Sequence, residues 1–193
     1  RILPPEVFTI PRLGSFNLHA SVLPKFRGAA PINWAIMRGE EETGVTTFFL
    51  RDKVDTGSIL LQARERIGPD DTAGELHDRL ADLGAQVVLQ TVRAIEVGNV
   101  RPVAQDEASA SLAPKIFRED CEIDWKKPAL DIHNFVRGLS PSPCAWTNHR
   151  EKVLRIYRTE RVEGAGSLME HEAGVIADVR AGKLIVRTTA GMI

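Results

Sequence analysis

The chain has 193 residues, 43% of them hydrophobic and 26% charged, with 25 Lys and Arg against 26 Asp and Glu. That is enough chain for one large domain or two small ones, and a net charge of −1 gives no whole-chain case for binding nucleic acid. No apolar run approaches the roughly 20 residues that cross a bilayer, and the first residues carry no charged-then-apolar export pattern, so a cytoplasmic protein without membrane contact is expected. From Pro114 onward 13 Lys and Arg stand against 11 Asp and Glu, hence +2; the part before it has 12 against 15, hence −3. The local excess sits at Arg150, Lys152, Arg155, Arg158 and Arg161. Cys121 and Cys144 are far apart in sequence and outside any Cys-x-x-Cys pattern, which predicts two reduced, partly buried thiols and no metal site.

Phe16, Leu18 and Ala20 alternate with Asn17, His19 and Ser21, the periodicity of a strand with its polar members on one face. Pro24 ends it. Pro31 suits the first turn of a helix, and Ile32–Arg38 reads as a short helix stopped by Gly39. Val45–Leu50 is β-branched and aromatic, hence a buried strand, and Ser58–Gln62 is a second after the Asp55-Thr56-Gly57 turn. Asp71 and Thr72 offer a cap. Leu76, Leu80, Leu83, Val87, Val88, Val92 and Ile95 then follow at helical steps, predicting a long amphipathic helix that ends at Gly98-Asn99. Gly84 inside it costs about 1 kcal/mol relative to Ala, which points to close packing there.

Gln105–Ser111 is small and polar, a plausible linker. Beyond it a short helix is expected over Ala129–Gly138. Short strand-like runs follow at Lys152–Tyr157, Gly174–Val179 and Leu184–Thr188, a texture that points to a small barrel. The chain opens on Arg1 and stops at Gly191-Met192-Ile193 just after a strand-like run, so a fragment of a longer protein is expected, with an exposed apolar edge and little turnover by itself. His77 and His133, without partners at helical spacing, read as ordinary helix residues. His149 and His171 sit in turn-like surroundings.

Asn17 and His19, two apart on a strand, point to the same side. An amide donates to a carbonyl oxygen that gains negative charge, an imidazole donates or relays a proton, and Asp55 arriving from another loop holds the imidazole or takes the proton. Such a trio suits acyl transfer without a metal. Taken singly, each has an ordinary reading: a polar strand face, and a turn in which Asp caps and Gly accepts positive φ. Ser21-Val22-Leu23-Pro24 leaves the same strand as a loop whose backbone suits a flat heterocycle. Lys25 and Arg27 are candidates to meet an anion, or plain solvated cations. Trp125 and Trp146 are read as core residues rather than base-stacking platforms.

The combination is more specific than its parts. Asn17-x-His19, then Ser21-Val22-Leu23-Pro24-Lys25-Phe26-Arg27-Gly28-Ala29-Ala30-Pro31, then Thr43-Gly44-Val45-Thr46 and Asp55-Thr56-Gly57, closely resembles the folate-dependent formyltransferases. Ala113–Ile116, Cys121–Trp125, Lys127–Ala129 and Arg137–Thr147 extend the resemblance over nearly the whole chain, and the match is best to members that act on initiator methionyl-tRNA. Val22 stands where the family turn usually has Leu, and Ser142 where an aromatic is common. The resemblance implies an α/β fold: the carboxyl half of a Rossmann-like catalytic domain over residues 1–104, then an OB-like, truncated tRNA-binding barrel over 112–193. It implies a monomer that moves a formyl group from 10-formyltetrahydrofolate to the methionine amine of initiator tRNA. Asn17 and His19 would stabilise the oxyanion, Asp55 would orient His19 and help accept the amine proton, and Ser21, Val22, Leu23 and Pro24 would bind the folate. Alternatives are a sugar amine as acceptor, a formyltetrahydrofolate hydrolase module, or a non-catalytic RNA-binding module using the barrel alone.

Overall fold

The computed structural model describes residues 3–162 and 172–193. Arg1 and His171, noted above, lie outside them. In chain order the first part holds α1 (Pro5–Phe8), β1 (Phe16–His19), β2 (Arg27–Gly28), α2 (Pro31–Met37), β3 (Glu42–Phe49), β4 (Ile59–Arg66), α3 (Ala73–Glu96) and β5 (Leu112–Ala113). The second part holds α4 (Ala129–Leu139), β6 (Ala145–His149), β7 (Lys152–Ile156), β8 (Ile176–Arg180) and β9 (Lys183–Val186). The chain divides into two compact units. One comprises the segment ending at Ala35 with Glu40–Pro69 and Glu75–Lys115; the other comprises Ile36–Gly39, Asp70–Gly74 and the described residues from Ile116 on. Among the described residues no helix is long and apolar enough to cross a membrane.

In the first unit β1, β3 and β4 form one sheet in the order β1-β3-β4, antiparallel throughout, with Asn17 opposite Phe48 and His19 opposite Thr46. Expectation and structure differ here. A Rossmann-like sheet is mainly parallel, but short connections such as that between β3 and β4 return the chain antiparallel, and parallel neighbours need a long crossover. Among the described residues of the first unit, the paired strands run parallel in the two-residue ladder of β2 with β5. The fold is mixed α/β. Strand β4 runs on past the predicted Gln62 to Arg66, with Arg64 and Arg66 exposed and alternating with the half-buried Ala63 and Glu65.

Helix α3 packs Leu76, Leu80 and Val87 inward, as the spacing predicts. The last fully buried residue of the helix is Thr91, Ile95 is half-buried, and Val92, placed by the spacing on the apolar side, is exposed. Thr91 Oγ1 lies 2.8 Å from Thr47 Oγ1 and 2.8 Å from the Val87 carbonyl, so this buried hydroxyl is satisfied and ties the helix to β3. Gly84 faces Leu18 of β1, where an added Cβ would sit 2.7 Å from Leu18 Cδ2. Close packing explains the glycine.

In the second unit Ile132, Val136 and Leu139 of α4 pack with Cys121, Ile123, Ala145 and Ile193. Both cysteines are free and buried. Trp125 and Trp146 lie against this core, and their indole N–H groups donate to Thr147 Oγ1 (3.0 Å) and the Arg118 carbonyl (2.9 Å). β6 pairs antiparallel with β7, and β8 with β9, as two separate two-stranded sheets. A barrel requires both edges of every strand to be paired, and among the described residues the sheets do not close. His77 is exposed on α3. His133 departs from the expectation of an ordinary helix residue: it is buried, with Nδ1 3.0 Å from Thr159 Oγ1 and Nε2 3.3 Å from Asp70 Oδ1. Its partners come from distant segments, which helical spacing does not show.

Candidate active site

Strand alternation sets the first two members. Asn17 is exposed and His19 buried on the same face of β1, while Leu18 between them turns toward α3. His19 Nε2 lies 2.7 Å from the Phe26 carbonyl oxygen. A carbonyl only accepts, so this nitrogen carries the hydrogen. The other ring nitrogen, Nδ1, lies 3.6 Å from Asp55 Oδ2, with both side chains about nine-tenths buried. Asp55 Oδ2 also accepts from the Gly28 N–H at 2.9 Å. Two polar groups 36 positions apart in the chain thus meet, and the segment Phe26–Gly28 holds both, His19 through the Phe26 carbonyl and Asp55 through the Gly28 amide.

Backbone strain gathers at the same place. Phe26 has φ 61° and Asp55 φ 53°. Asp tolerates this left-handed region, but for a bulky aromatic it is an outlier, costing on the order of 1–3 kcal/mol where the surroundings enforce it. Here the Phe26 amide accepts no freedom: it donates to Ser111 Oγ at 2.9 Å, while its carbonyl takes the His19 hydrogen. Gly28 has φ 127°, and a Cβ on it would lie 2.5 Å from the Ala113 carbonyl oxygen. Only glycine lets β2 approach β5 and aim its N–H at Asp55.

The Ser21–Pro24 turn contains a cis Leu23-Pro24 bond and is fastened from β3 and β4. Thr46 Oγ1 donates to the Ser21 carbonyl (2.6 Å) and accepts from the Leu23 N–H (3.1 Å); Gln62 Nε2 donates to the Leu23 carbonyl (2.9 Å). Ser21 Oγ donates to the Lys25 carbonyl at 2.6 Å. The turn is therefore pre-shaped, with Ser21 and Leu23 buried and Val22 and Pro24 half-buried. Its Leu23 N–H is engaged inside the protein, which narrows the backbone groups that face outward.

Lys25 is exposed and paired, whereas Arg27 is buried and fully engaged, so neither is an open anion ligand. Lys25 Nζ pairs with Glu40 at 3.1 Å. Arg27, 7% exposed, donates to Glu107 from both terminal nitrogens (2.9 and 2.8 Å) and to Gln105 Oε1 through Nε and Nη2 (2.9 and 2.7 Å). The Arg27 guanidinium holds the exposed Glu107 carboxyl below the usual carboxylate range. Gln105–Ser111 is thus no free linker: Ser111 pairs with Phe26 and Arg27, and Gln105 reaches the Asp55 turn. Composition hides this, because its partners lie some eighty residues upstream. The basic residues Arg150, Lys152, Arg155, Arg158 and Arg161 are exposed, Lys152 and Arg155 on β7 and the others just before or after it. A cavity of about 750 Å³ in the second unit is lined by Trp125, His133, Arg137 and Arg158 among others, and by none of Asn17, His19 or Asp55.

A buried imidazole facing a carboxylate, beside an exposed amide on the same strand face, can move a proton and steady a developing oxyanion. Residues 1–92 match the profile described as formyl transferase, and residues 115–193 the one described as formyl transferase, C-terminal domain. The chain belongs to the formyl transferase family. Relatives include a protein of Chlorobium chlorochromatii (strain CaD3) named methionyl-tRNA formyltransferase, 55% identical over 82% of this chain and 51% of its own length. The protein of that name from Chlorobium limicola (strain DSM 245 / NBRC 103803 / 6330) is 48% identical over the whole of this chain and 61% of its own. The chain therefore spans about half to three-fifths of the length of these formyl transferase relatives. Among solved structures, HypX from Aquifex aeolicus in complex with tetrahydrofolic acid superposes with a TM-score of 0.76 at 20% identity, covering 100% of this chain and 33% of that one. An N-formyltransferase from Helicobacter canadensis, in complex with folinic acid and dTDP-3-aminofucose, gives 0.70 at 21% identity, covering 92% of this chain and 63% of that one. At those identities the likeness is one of fold.

Proposed function

We propose that the full-length protein transfers a formyl group from 10-formyltetrahydrofolate to the amino group of methionine on initiator tRNA. The observation that carries this reading is the meeting of His19 and Asp55 at 3.6 Å, on the strand face that presents Asn17. The amine nitrogen attacks the formyl carbon, and the carbonyl π pair moves to oxygen. The Asn17 amide donates to that oxygen; a single such donor is typically worth roughly 3–4 kcal/mol in the transition state. The attacking amine loses a proton, which the Asp55–His19 pair takes up. The tetrahedral intermediate collapses as the oxyanion re-forms the carbonyl and the bond from carbon to the folate N10 breaks, and N10 leaves with the proton that the Asp55–His19 pair took from the amine. Because the substrate supplies the nucleophile, the chain needs no Ser or Cys for attack.

In this reading the pre-shaped Ser21, Val22, Leu23 and Pro24 turn is the folate-binding element. The first unit is the catalytic portion, and the second contributes to an OB-like barrel that carries the basic strand at Arg150–Arg161 toward tRNA phosphates. The protein acts as a cytoplasmic monomer. A sugar amine is the competing acceptor. It rests on fold likeness at about 21% identity, whereas the relatives near 50% identity carry the methionyl-tRNA formyltransferase name. The test gives the full-length protein 10-formyltetrahydrofolate with either charged initiator tRNA or a dTDP-linked amino sugar. Formylmethionyl-tRNA as the product supports the proposal; formylation of the sugar alone, or of neither, overturns it.

A further inference from the structure

The Asp55 turn is held by a side chain to which neither the sequence nor any family likeness assigned a role. Gln105 Nε2 donates to two main-chain carbonyls of that turn, Asp55 O and Gly57 O, each at 2.8 Å. Its Oε1 accepts two hydrogen bonds from Arg27, at 2.9 and 2.7 Å. The orientation of the amide is not in question, because carbonyls only accept and a guanidinium only donates. Arg27 is itself buried and braced by Glu107. The next residue, Gly28, gives its N–H to the Asp55 carboxylate. One assembly, Glu107–Arg27–Gln105 with strand β2, thus grips Asp55 at both ends: its left-handed backbone through Gln105 and its carboxylate through Gly28.

We infer that Gln105, aligned by Arg27, is a positioning residue that fixes the Asp55 carboxylate against His19. The inference rests on the formyl-transfer reading above. Its physical basis is that the Asp55–His19 separation of 3.6 Å is already at the edge of contact, so any further displacement of the carboxylate weakens its hold on the imidazole. The strained φ of Asp55 relaxes once the two amide bonds are gone, and displacement of a reacting group by about 1 Å costs on the order of 10²-fold in rate.

The test uses the full-length protein with Gln105→Glu, which keeps the shape and the partnership with Arg27 but turns the two donors to the turn into an acceptor. The expected result is a kcat lower by about 10²-fold with both KM values nearly unchanged. Hydrogen–deuterium exchange should quicken in the peptide spanning Asp55–Gly57 while α3 and β3 stay protected. In an Asp55→Asn background the same change should cost less than about threefold, since a residue acting through Asp55 has nothing further to lose. Gln105→Met, of similar length and uncharged, serves if the Glu variant does not fold. An unchanged kcat, unchanged exchange at the turn, or equal losses with and without Asp55 overturns the inference. If the native protein formylates no tRNA, the functional reading fails instead, and the exchange measurement still decides whether Gln105 holds the turn.

Discussion

Replacing Asp55 by Asn removes one charge and little else. The amide oxygen still accepts the Gly28 N–H, as Asp55 Oδ2 does at 2.9 Å, so the turn keeps its anchor. What disappears is the carboxylate 3.6 Å from His19 Nδ1. Both side chains are about nine-tenths buried, so water screens the pair weakly. With an effective dielectric of about 20, unit charges at that separation interact by about 4–5 kcal/mol. The term applies only once the imidazole becomes charged, which is when it takes the amine proton. It therefore falls on the transition state, and a loss of that size corresponds to a drop in kcat on the order of 10³-fold. The assay is formylation of charged initiator tRNA by the full-length protein under single-turnover conditions, with both substrates saturating. KM should stay within a fewfold of the native value, and the thermal midpoint should move little. Retention of more than a tenth of the native kcat would show that the carboxylate does not act on His19 as described.

Three further outcomes are expected. Gly28→Ala should destabilise the fold by at least about 2 kcal/mol in urea and abolish transfer, because the new Cβ meets the Ala113 backbone oxygen at 2.5 Å and φ is 127°; near-native stability would show that β2 and β5 have room to separate. Gly84→Ala gains about 1 kcal/mol of helix propensity but displaces Leu18 from its rotamer, so the net change should be small. In a Leu18→Ala background the gain should appear in full; the same gain in the native background would contradict the contact. Burial, aided by Asp120, Cys144 and Glu119, pushes the Cys121 thiol above its ordinary value of 9.0. The folded state then holds that proton when the unfolded chain has lost it, so stability is present below the ordinary thiol range and falls as pH rises through it. The slope is at most about 1.4 kcal/mol per pH unit for one group. Urea midpoints measured from pH 7 to 10 should show a shallower decline in Cys121→Ala than in the native chain, and identical declines would rule the effect out.

Periodicity along the chain was enough to place β1 with Asn17 and His19 on one face, to draw α3 from Leu76 to Ile95, and to foresee tight packing at Gly84. These features follow from a two-residue or a 3.6-residue repeat and from the conformational cost of particular residues, all of which are local. The family motifs named Asp55 as a partner for His19, but only the folded chain brings the two to 3.6 Å. Gln105 sat in a stretch whose composition reads as linker, and Arg27 in one that reads as solvated; each is defined by the other, 78 positions away. The antiparallel order of β1-β3-β4 and the pairing of β6 with β7 and of β8 with β9 were likewise beyond local pattern. A side chain's spacing fixes which way it faces from its own element. What it meets there depends on the path of the whole chain, which brings donors and acceptors from distant segments into one buried place where each must find a partner.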